Sequence, residues 1–288
     1  MQAAYLTPQA VDQFIRLALA EDLGEGDHST LGAVPATKIS KANLLVKDTG
    51  ILAGVAMAQK IFQVVDGTLK VSVFKNDGDS IVKGEIAFTV EGKAQSILMA
   101  ERLVLNCMQR MSGIATYTNK LCKLIEGTQA RLMDTRKTTP NFRLMEKWAV
   151  AIGGGLNHRF ALYDMVMLKD NHIDMAGGVR AAIEQVTSYL RSKNKSLKIE
   201  VETRTLAEVE EVLHVGGVDV IMLDNMSTDQ MKQAVKLIGG RYKTEASGGI
   251  TEATLRAVAE CGVDYISVGA LTHSVKSLDL SLKVSKQA

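Results

Sequence analysis

Cysteine is scarce in this sequence, and its few thiols are not spaced for a metal or disulfide framework. The 288 residues include only Cys107, Cys122 and Cys261. They form no CxxC pair and their number is odd, so neither a disulfide framework nor a structural zinc site is indicated. We expect reduced thiols that pack in the core of a cytoplasmic protein.

The sequence also lacks a charge excess and long apolar runs. Its formal net charge of +2 is too small for the dense basic face or tail of proteins that bind nucleic acids or membrane surfaces. No apolar run approaches the roughly 18 residues of a membrane span, and the first residues, MQAAYLTPQAVDQF, are not a basic segment followed by an apolar one. We therefore expect no nucleic-acid partner, no membrane partner and a cytoplasmic location.

Aromatic residues are few as well, at 5% of the chain, while hydrophobic residues reach an ordinary 46%. This composition is typical of a globular protein with an aliphatic core. The length allows one large domain, or a barrel with a smaller companion.

The first part of the chain combines helices with short strands. Residues 8–22, PQAVDQFIRLALAED, carry apolar residues at helical spacing, after Thr7 as a cap and with a proline in the first turn. From about residue 39 to 98, short apolar segments alternate with turns that contain Gly and Asp. A helix over about 56–65 interrupts them, and a longer helix over about 100–125 follows. This pattern predicts an α+β domain.

Farther along, strand-like and helical segments alternate. Six apolar strands are predicted: RLM (131–133), MVMLK (165–169), LKIEVE (197–202), DVIML (219–223), YKTEA (242–246) and DYISV (264–268). Helical patterns at 205–215 and 251–261 lie between the later strands. Such alternation predicts parallel βα units, in a barrel or an open doubly wound sheet.

The fold class expected is α/β, with an incomplete (β/α) barrel of about six or seven strands preceded by an α+β N-terminal domain. The candidate seventh strand lies near GGGLNHR (153–159). We expect a sandwich-like N-terminal domain over 1–112, joined by the C-terminal tail 275–288. The barrel domain, over 113–274, is expected to carry the active site.

Polar residues or glycines follow almost every predicted barrel strand, and this favours the barrel over the open sheet. They are Asp134 to Lys137, Lys169, Glu202, Asp224, Ser247 to Gly249, and Gly269. Barrel enzymes assemble their active sites from the carboxyl ends of several strands. The placement therefore predicts one site at the mouth of the barrel.

Four cations at strand ends predict a polyanionic ligand. These are Arg136, Lys137, Arg159 and Lys169. Arginine can grip a carboxylate through two parallel hydrogen bonds, while lysine is a compact charge suited to phosphate or pyrophosphate. A ligand that carries both kinds of group is expected. Arg143 and Lys147, four residues apart on the helix predicted after Pro140, are assigned to a solvated helix face and set aside.

Glu202 and Asp224 supply carboxylates from two further strands. Carboxylates near phosphate-binding cations commonly hold Mg²⁺ together with substrate oxygens. They can equally bind ribose hydroxyls, or form salt bridges with the lysines. Glu200 has the same strand parity as Glu202, so both are expected to point inward.

Glycine-containing turns follow the last two strands. SGG (247–249) and VGA (268–270) resemble the backbone phosphate grip that many barrels form in their last two βα loops. A plain turn is the alternative for SGG taken alone. His158, in NHR (157–159), is expected to donate a hydrogen bond to a carboxylate, with a structural histidine as the alternative.

One long run resembles a known family. Residues 134–173, DTRKTTPNFRLMEKWAVAIGGGLNHRFALYDMVMLKDNHI, are similar to the signature of the quinolinate phosphoribosyltransferases. The resemblance extends to EDLGEGDHST (21–30), GILAG (50–54), ERLVLNCMQRMSGIAT (101–116), IMLDN (221–225) and EASGGI (245–250), and so covers nearly the whole chain. It implies transfer of phosphoribosyl from phosphoribosyl pyrophosphate to quinolinate, with release of pyrophosphate and CO₂ and formation of nicotinate mononucleotide.

The resemblance also implies residue roles. The quinolinate carboxylates would be bound by Arg102, Thr135, Arg136, His158 and Arg159. Pyrophosphate would be held by Lys137 and Lys169, and the ribose hydroxyls or Mg²⁺ by Glu202 and Asp224, directly or through water. The same four residues would be the catalytic ones. The 5′-phosphate would be held by Ser247, Gly248, Gly249, Val268, Gly269 and Ala270.

Family resemblance further implies a homodimer or a larger homo-oligomer, because Arg102 would come from the neighbouring subunit. Two departures from the family pattern stand out. Asn141 occupies a position where glycine is frequent, and asparagine can still take a turn conformation. Thr203 and Arg204 follow Glu202 where a further acidic residue is common, which leaves open whether Glu200 or Glu202 is the main metal or ribose ligand.

Three alternatives remain at the level of the sequence. A phosphoribosyltransferase-like protein of molybdate-transport clusters shares the DTRKT element, although the intact NHR and LKDNH stretches argue against it. Lys169 at a strand end could form a Schiff base in a barrel aldolase. A ligand sensor without catalysis is the third, and the presence of all four predicted catalytic residues argues against it.

Overall fold

Residues 4–285 are described by the computed structural model and divide into two units. The first contains the residues up to 119, together with 138–154 and those from 270 onward, and the second contains 120–137 and 155–269. Residues 1–3 and 286–288, which the sequence assigns to the N-terminal domain and its C-terminal tail, lie outside the described residues.

Helices and strands follow one another in this order: α1 (Pro8–Leu23), α2 (His28–Ala33), β1 (Ile39–Val46), β2 (Gly50–Ile51), α3 (Val55–Val65), β3 (Lys70–Val73), β4 (Ser80–Ile81), β5 (Ile86–Lys93), α4 (Ala94–Leu124), β6 (Arg131–Met133), α5 (Arg143–Ile152), β7 (Val166–Leu168), α6 (Asp170–Ala176), α7 (Val179–Ser192), β8 (Ile199–Thr203), α8 (Leu206–Val215), β9 (Val220–Asp224), α9 (Thr228–Ile238), β10 (Lys243–Ser247), α10 (Leu255–Ala259), β11 (Tyr265–Ser267), α11 (Ala270–His273) and β12 (Leu280–Val284).

The first unit is built on a four-stranded antiparallel sheet in the order β12-β1-β5-β3. Leu44 of β1 lies opposite Phe88 of β5, and both are fully buried. The ring of Phe62, from α3, packs edge-on against Phe88 with 6.0 Å between the ring centres. The strand alternation seen in the sequence therefore corresponds to a sheet with one face against a core. Strand β12 brings the residues of the C-terminal tail into this sheet.

Helix α1 begins as predicted. The Thr7 hydroxyl accepts a hydrogen bond from the N–H of Ala10 at 3.1 Å. Pro8 occupies the first turn, where a backbone N–H has no acceptor within the helix, so the lack of an N–H on proline costs no hydrogen bond. Ile15 buries the apolar face, and Phe14 contacts Phe142 edge-on with 5.6 Å between ring centres. The helix is thus held within the first unit by its apolar side.

The longest helix, α4, runs without a break through residues 112 and 113, where the sequence indicated a domain boundary. Its residues up to 119 belong to the first unit and its last turn to the second. The division between the units therefore falls near the end of this helix. In residues 4–285, no helix combines the length and the apolar character needed to cross a membrane.

The solvated helix face predicted for Arg143 and Lys147 is wrong. Lys147 is fully buried, at 0% exposure, and Nε of Arg143 donates to the hydroxyl of Thr138 at 2.9 Å. Helix α5 buries polar and apolar sides alike, which is a tertiary effect that sequence periodicity does not reveal. Before it, Asn141 has a φ of +61° and takes the turn conformation expected of it.

The second unit is a parallel sheet of six strands in the order β6-β11-β10-β9-β8-β7, with helices between most of them. All six predicted strands are present; β6 has the predicted ends, and the ends of the other five shift by at most two residues. In the described part of the chain the end strands β6 and β7 do not pair with each other. The predicted incomplete α/β barrel after an α+β N-terminal region is confirmed.

The candidate seventh strand is reduced to a single bridge. Leu156 pairs in parallel with Met133, donating its N–H to the carbonyl of Leu132 at 2.8 Å and accepting from the N–H of Asp134 at 3.1 Å. This bridge fixes the segment 157–159 beside the end of β6, because it lies directly before that segment.

Candidate active site at the carboxyl ends of the barrel strands

Most of the predicted site residues lie at one edge of the parallel sheet. Following β6 are Thr135, Arg136 and Lys137; Lys169 follows β7, Glu202 is in β8, Asp224 ends β9, Ser247 to Gly249 are at the end of β10, and Val268 and Gly269 follow β11. Parallel strands bring their carboxyl ends to the same edge, so the second unit alone assembles these groups. Arg102 and Ala270 belong to the first unit.

Two arginines form the cationic part of the site. Arg159 is only 9% exposed, and its Nη1 donates to the carbonyl of Met165 at 3.2 Å. Burial and the nearby charge of Arg136 both lower the pKa of Arg159. A guanidinium has five N–H donors, so Arg159 keeps donors for a ligand. Two arginines that raise each other's electrostatic energy favour binding of an anion.

The loop that follows β6 is ordered by its own side chains. The hydroxyl of Thr135 accepts a hydrogen bond from the backbone N–H of Lys137 at 3.0 Å. This contact turns the backbone between the two residues, as Ser and Thr hydroxyls do in tight turns. Lys137 is exposed and Arg136 half-buried, so adjacent cations of the sequence differ in their access to solvent.

The carboxylates of β8 and β9 form a second group with Lys169. Nζ of Lys169 lies 3.7 Å from Oε2 of Glu202, so the salt bridge considered from the sequence is present. Burial and the charge of Asp224 raise the pKa of Glu202, and the charge of Lys169 partly opposes this. Two carboxylates that repel each other, with one cation beside them, can accept a further cation or hydroxyl donors.

Glycine is required where β9 and β10 end side by side. Asn225, with a φ of +54°, donates its backbone N–H to the carbonyl of Ser247 at 2.9 Å. A Cβ on Gly248, whose φ is +93°, would overlap the side chain of Asn225 and lie 2.7 Å from its backbone nitrogen. Close approach of the two turns therefore excludes any side chain at 248.

His158 reaches inward to two buried carboxylates. Its Nε2 lies 2.9 Å from Oε2 of Glu200 and 3.3 Å from Oε2 of Glu245. Burial disfavours a charged imidazole, whereas contact with the two carboxylates favours a proton on Nε2. Burial and the charge of Glu245 raise the pKa of Glu200 to about 7. Glu200 thus points inward, as strand parity predicts.

Three residues of the site were given no role from the sequence: Asp134, Asn225 and Glu245. Asp134 was named only as one of the polar residues at strand ends. Asp134 is fully buried and accepts from the N–H of His158 at 2.9 Å and from Nδ2 of Asn157 at 2.7 Å. A signal was available for Glu245, since a lone acid in an apolar strand directly before SGG is unusual. Asn225 follows Asp224 in the quoted LDN stretch and carried no separate signal.

His172, in the LKDNH stretch, has a structural explanation. Its Nδ1 accepts the N–H of Lys169 at 2.9 Å, and this contact caps helix α6. Arg102, on α4, is exposed, and its guanidinium has no hydrogen-bond or ion-pair partner among residues 4–285. Its donors are available to a group from outside this chain.

Two sets of residues could hold a divalent metal. Glu202 and Asp224 are the set predicted from the sequence. His158, Glu200 and Glu245 form the other, with ligand atoms that all lie within 4.8 Å of one another. Mg²⁺ prefers oxygen ligands and keeps several waters, which suits the half-open carboxylate pair better than a closed group containing an imidazole.

A parallel barrel with arginines, lysines and carboxylates at its strand ends defines a class of enzymes that act on phosphorylated or carboxylated small molecules. The family model described as the C-terminal domain of quinolinate phosphoribosyl transferase matches residues 114–283, and the model of the N-terminal domain matches residues 27–112. The chain belongs to the quinolinate phosphoribosyltransferase family.

Individual relatives agree along nearly the whole chain. A quinolinate phosphoribosyltransferase (decarboxylating) 1b of Nicotiana tabacum is 49% identical over 288 residues, covering 95% of this chain and 82% of the tobacco protein. A nicotinate-nucleotide pyrophosphorylase (carboxylating) of Arabidopsis thaliana, named chloroplastic, gives the same 49%, 95% and 82%. The crystal structure of NadC from Streptococcus pyogenes matches with a TM-score of 0.91 and 41% identity, covering 99% of this chain and 100% of that one. The resemblance inferred from the sequence is confirmed.

Proposed function

We propose that the protein transfers the phosphoribosyl group of phosphoribosyl pyrophosphate to quinolinate with loss of CO₂, giving nicotinate mononucleotide and pyrophosphate in de novo NAD biosynthesis. The observation that carries the proposal is the nearly buried Arg159, whose pKa is lowered by burial and by the neighbouring Arg136. Such a pair favours a dicarboxylate. Membership of the family supports the choice of quinolinate.

Quinolinate is bound by the cationic side of the site. Arg136 and Arg159 grip its carboxylates, because a guanidinium matches a carboxylate with two parallel hydrogen bonds. Thr135 lies beside them in the chain and supplies a hydroxyl. His158 belongs to the same group of residues, and Arg102 completes it from a second subunit.

Phosphoribosyl pyrophosphate is bound by the remaining strand ends. Lys137 and Lys169 hold the pyrophosphate as compact charges. The 5′-phosphate lies on the backbone N–H groups of Ser247 to Gly249 and of Val268 to Ala270, as phosphates do in many barrels. Glu202 and Asp224 face the ribose hydroxyls.

The reaction requires positioning and electrostatics rather than a protein nucleophile. As pyrophosphate leaves, the ribose C1 gains positive charge, and Lys137 with Lys169 stabilise the negative charge of the leaving group. The carboxylates of Glu202 and Asp224 stabilise the positive ribose. The pyridine nitrogen attacks C1, and the resulting pyridinium stabilises the carbanion left when the adjacent carboxylate departs as CO₂. That carbanion then takes up a proton.

Mg²⁺ is the cofactor we propose, at Glu202 and Asp224. The two residues fit it, since their mutual repulsion raises the pKa of Glu202 and one lysine is their main compensation. When bound, Mg²⁺ supplies positive charge that stabilises the pyrophosphate as it leaves. Lys169 has to release Glu202 partly to reach pyrophosphate, and its half-exposed side chain permits this movement.

The assembly we propose is a homodimer or a larger homo-oligomer in which Arg102 binds quinolinate in the active site of the partner. Exposure of Arg102 and its lack of a partner within the described chain support this. A cytoplasmic location is likewise a proposal, since the Arabidopsis relative is named chloroplastic. Fractionation of cells that express the native gene tests the location.

Turnover with both substrates is the direct test. Purified protein is incubated with quinolinate labelled in the carboxyl adjacent to the ring nitrogen, phosphoribosyl pyrophosphate and Mg²⁺, while CO₂ and nicotinate mononucleotide are followed. We expect both products in equal amounts, loss of turnover on chelation of Mg²⁺, and a loss of at least about 100-fold in Arg136→Ala, because one charged clamp is removed. Transfer to nicotinate in place of quinolinate would contradict the dicarboxylate assignment.

A further inference from the structure

Two buried glutamates of the barrel strands take no part in the proposed reaction. Glu200, in β8, is 0% exposed and Glu245, in β10, is 1% exposed. Both carboxylate oxygens of Glu200 and Oε1 of Glu245 make no hydrogen bond within the described part of the chain. Burial of two like charges is unfavourable, and unsatisfied acceptors add to the cost. Fold stability therefore does not explain their presence.

Both glutamates meet at one atom, Nε2 of His158. The distances are 2.9 Å from Glu200 and 3.3 Å from Glu245, and the imidazole side chain is only 6% exposed. On the opposite side of the ring, Nδ1 accepts the backbone N–H of Arg159 at 2.7 Å. Both ring nitrogens of His158 thus lie against groups of the protein itself.

The proton of His158 can be located from these contacts. Because Nδ1 accepts a hydrogen bond from Arg159, it carries a lone pair, and the proton lies on Nε2. The carboxylates also favour a proton there. A metal ion bound by His158, Glu200 and Glu245 would need a lone pair on Nε2 and hence a proton on Nδ1, opposite the N–H of Arg159. The hydrogen bond from Arg159 to Nδ1 therefore favours a proton over a metal ion at Nε2 of His158.

We propose that Glu200 and Glu245 are positioning residues for quinolinate binding: they hold the Nε2–H of His158, whose Nδ1 holds the backbone N–H of Arg159. This inference rests on the proposed function, because it assigns the pair to the dicarboxylate side of the site. From the other side, Asp134 accepts the backbone N–H of His158 at 2.9 Å. Contacts from two sides thereby fix the backbone of residues 158–159. This backbone in turn holds the guanidinium of Arg159 in one position relative to the substrate.

The role of His158 in quinolinate binding is then indirect. It acts through Arg159, which touches the substrate, whereas Glu200 and Glu245 act through His158. Misplacement of a positioned group by about 1 Å can lower the rate of an enzyme reaction about 100-fold. Loss of the glutamates should therefore weaken quinolinate binding more than phosphate binding. Glu245 shares strand β10 with Ser247, but its carboxylate contacts His158 and not the phosphate loop.

Kinetics of Glu245 variants test the proposal. Glu245→Leu is expected to raise the KM for quinolinate by about 10- to 100-fold while the KM for phosphoribosyl pyrophosphate stays the same. Glu245→Gln should be milder, because its carbonyl can still accept from Nε2. In a His158→Ala background, Glu245→Leu should have no further effect on the quinolinate KM, since both changes break the same chain of contacts.

Thr244→Val is the matched control. Thr244 neighbours Glu245 in β10 and is similarly buried, but its side chain lies on the other face of the strand and bonds to Asp264 at 3.0 Å. We expect this variant to lose stability and to keep both KM values. Melting temperatures of all variants separate loss of folding from loss of binding.

Three results would overturn the inference. One is a KM that rises equally for both substrates in Glu245→Leu. Another is a full effect of Glu245→Leu in the His158→Ala background. The third is one equivalent of a bound transition metal in the purified wild type that is absent from the Glu245→Leu variant and from the His158→Ala variant. If the wild type itself shows no turnover, the proposed function fails instead, and ¹⁵N NMR of the His158 ring still tests whether Nε2 carries the proton.

Discussion

At the scale of single residues, the phosphate loop is shaped by the approach of two strand ends. Asn225 and Gly248 both have positive φ values, +54° and +93°, and lie against each other. Asparagine tolerates a positive φ at position 225. Position 248 admits only glycine, because a Cβ there would overlap Asn225. The glycine in SGG is thus dictated by its neighbour as well as by its own backbone.

Gly248→Ala should selectively impair the use of phosphoribosyl pyrophosphate. The added methyl group would displace the Asn225 turn and the N–H groups beside it, so we expect the KM for this substrate to rise at least about tenfold, with a smaller effect on quinolinate. Steady-state kinetics with each substrate varied in turn measure the difference.

Gly127→Ala is the control for backbone strain. Gly127 has a φ of +81° in a turn of the same unit, but a Cβ there would meet nothing within 4 Å. Both substitutions cost roughly 1–2 kcal/mol of stability through the positive φ alone. Equal kinetic effects of the two variants would show that strain, and not the contact with Asn225, is responsible.

The positions of individual site residues could be predicted where these residues directly follow a predicted strand. Lys169 and Asp224 follow apolar strands, and parallel strands share an edge, so their place followed from the pattern. Glu245 was missed because its partner, His158, lies in a distant loop, and Lys147 was misassigned because helical spacing says nothing about what packs over a polar face. Such partners are set by tertiary structure.

At the scale of elements, Arg110 links three parts of the first unit. From α4, its guanidinium donates to Glu146 of α5, at 2.9 Å from Nη2, and to the carbonyls of Thr272 and Val275. Glu146 is fully buried and also accepts the N–H of Thr139 at 3.0 Å. The segment after Pro140 and the end of α11 are therefore tied to one arginine.

Removal of Arg110 alone should destabilise the protein more than removal of both charges. Arg110→Ala leaves Glu146 buried without its cation, and we expect a loss of about 3–5 kcal/mol in the free energy of unfolding. Arg110→Met combined with Glu146→Gln should lose less, because no buried charge is left unpaired. Urea unfolding measures both, and an equal or larger loss in the double variant would contradict the argument.

The order and type of the helices and strands were predicted correctly, and the positions of their ends less accurately. Apolar periodicity located α1, α3 and all six barrel strands. Helix α10 is shorter than its pattern, because Thr254 donates its N–H to Thr251 in a turn and its hydroxyl accepts the N–H of Thr251. The candidate seventh strand formed only a bridge at Leu156. Local hydrogen bonds of this kind compete with helix and strand at positions that composition does not mark.

At the scale of the whole molecule, the proposed active site draws on two chains. Its anion-binding groups belong to the second unit, whereas Arg102 is exposed on α4 of the first. In a dimer with twofold symmetry, each subunit would give its arginine to the other and receive one in return. Activity would then depend on the association of subunits.

Mixing two inactive variants tests this exchange. Arg102→Ala and Arg159→Ala should each lose quinolinate turnover. After co-refolding at equal amounts, half of the dimers would be hybrids with one intact site, so about a quarter of the wild-type activity should return. A mixture of Arg136→Ala and Arg159→Ala is the control and should stay inactive, because both residues come from the same chain. No recovery in the first mixture would place Arg102 in the site of its own subunit, or outside it.

Strand β12 has a consequence for how the chain is synthesised. It pairs with β1 along Ala42 to Val46, yet the whole second unit is translated between these two strands. Until residues 280–284 emerge from the ribosome, β1 presents an open edge that can associate with other nascent chains. We expect the second unit to form first during translation, and the N-terminal sheet to close last, as the final step of a slow, non-local pairing.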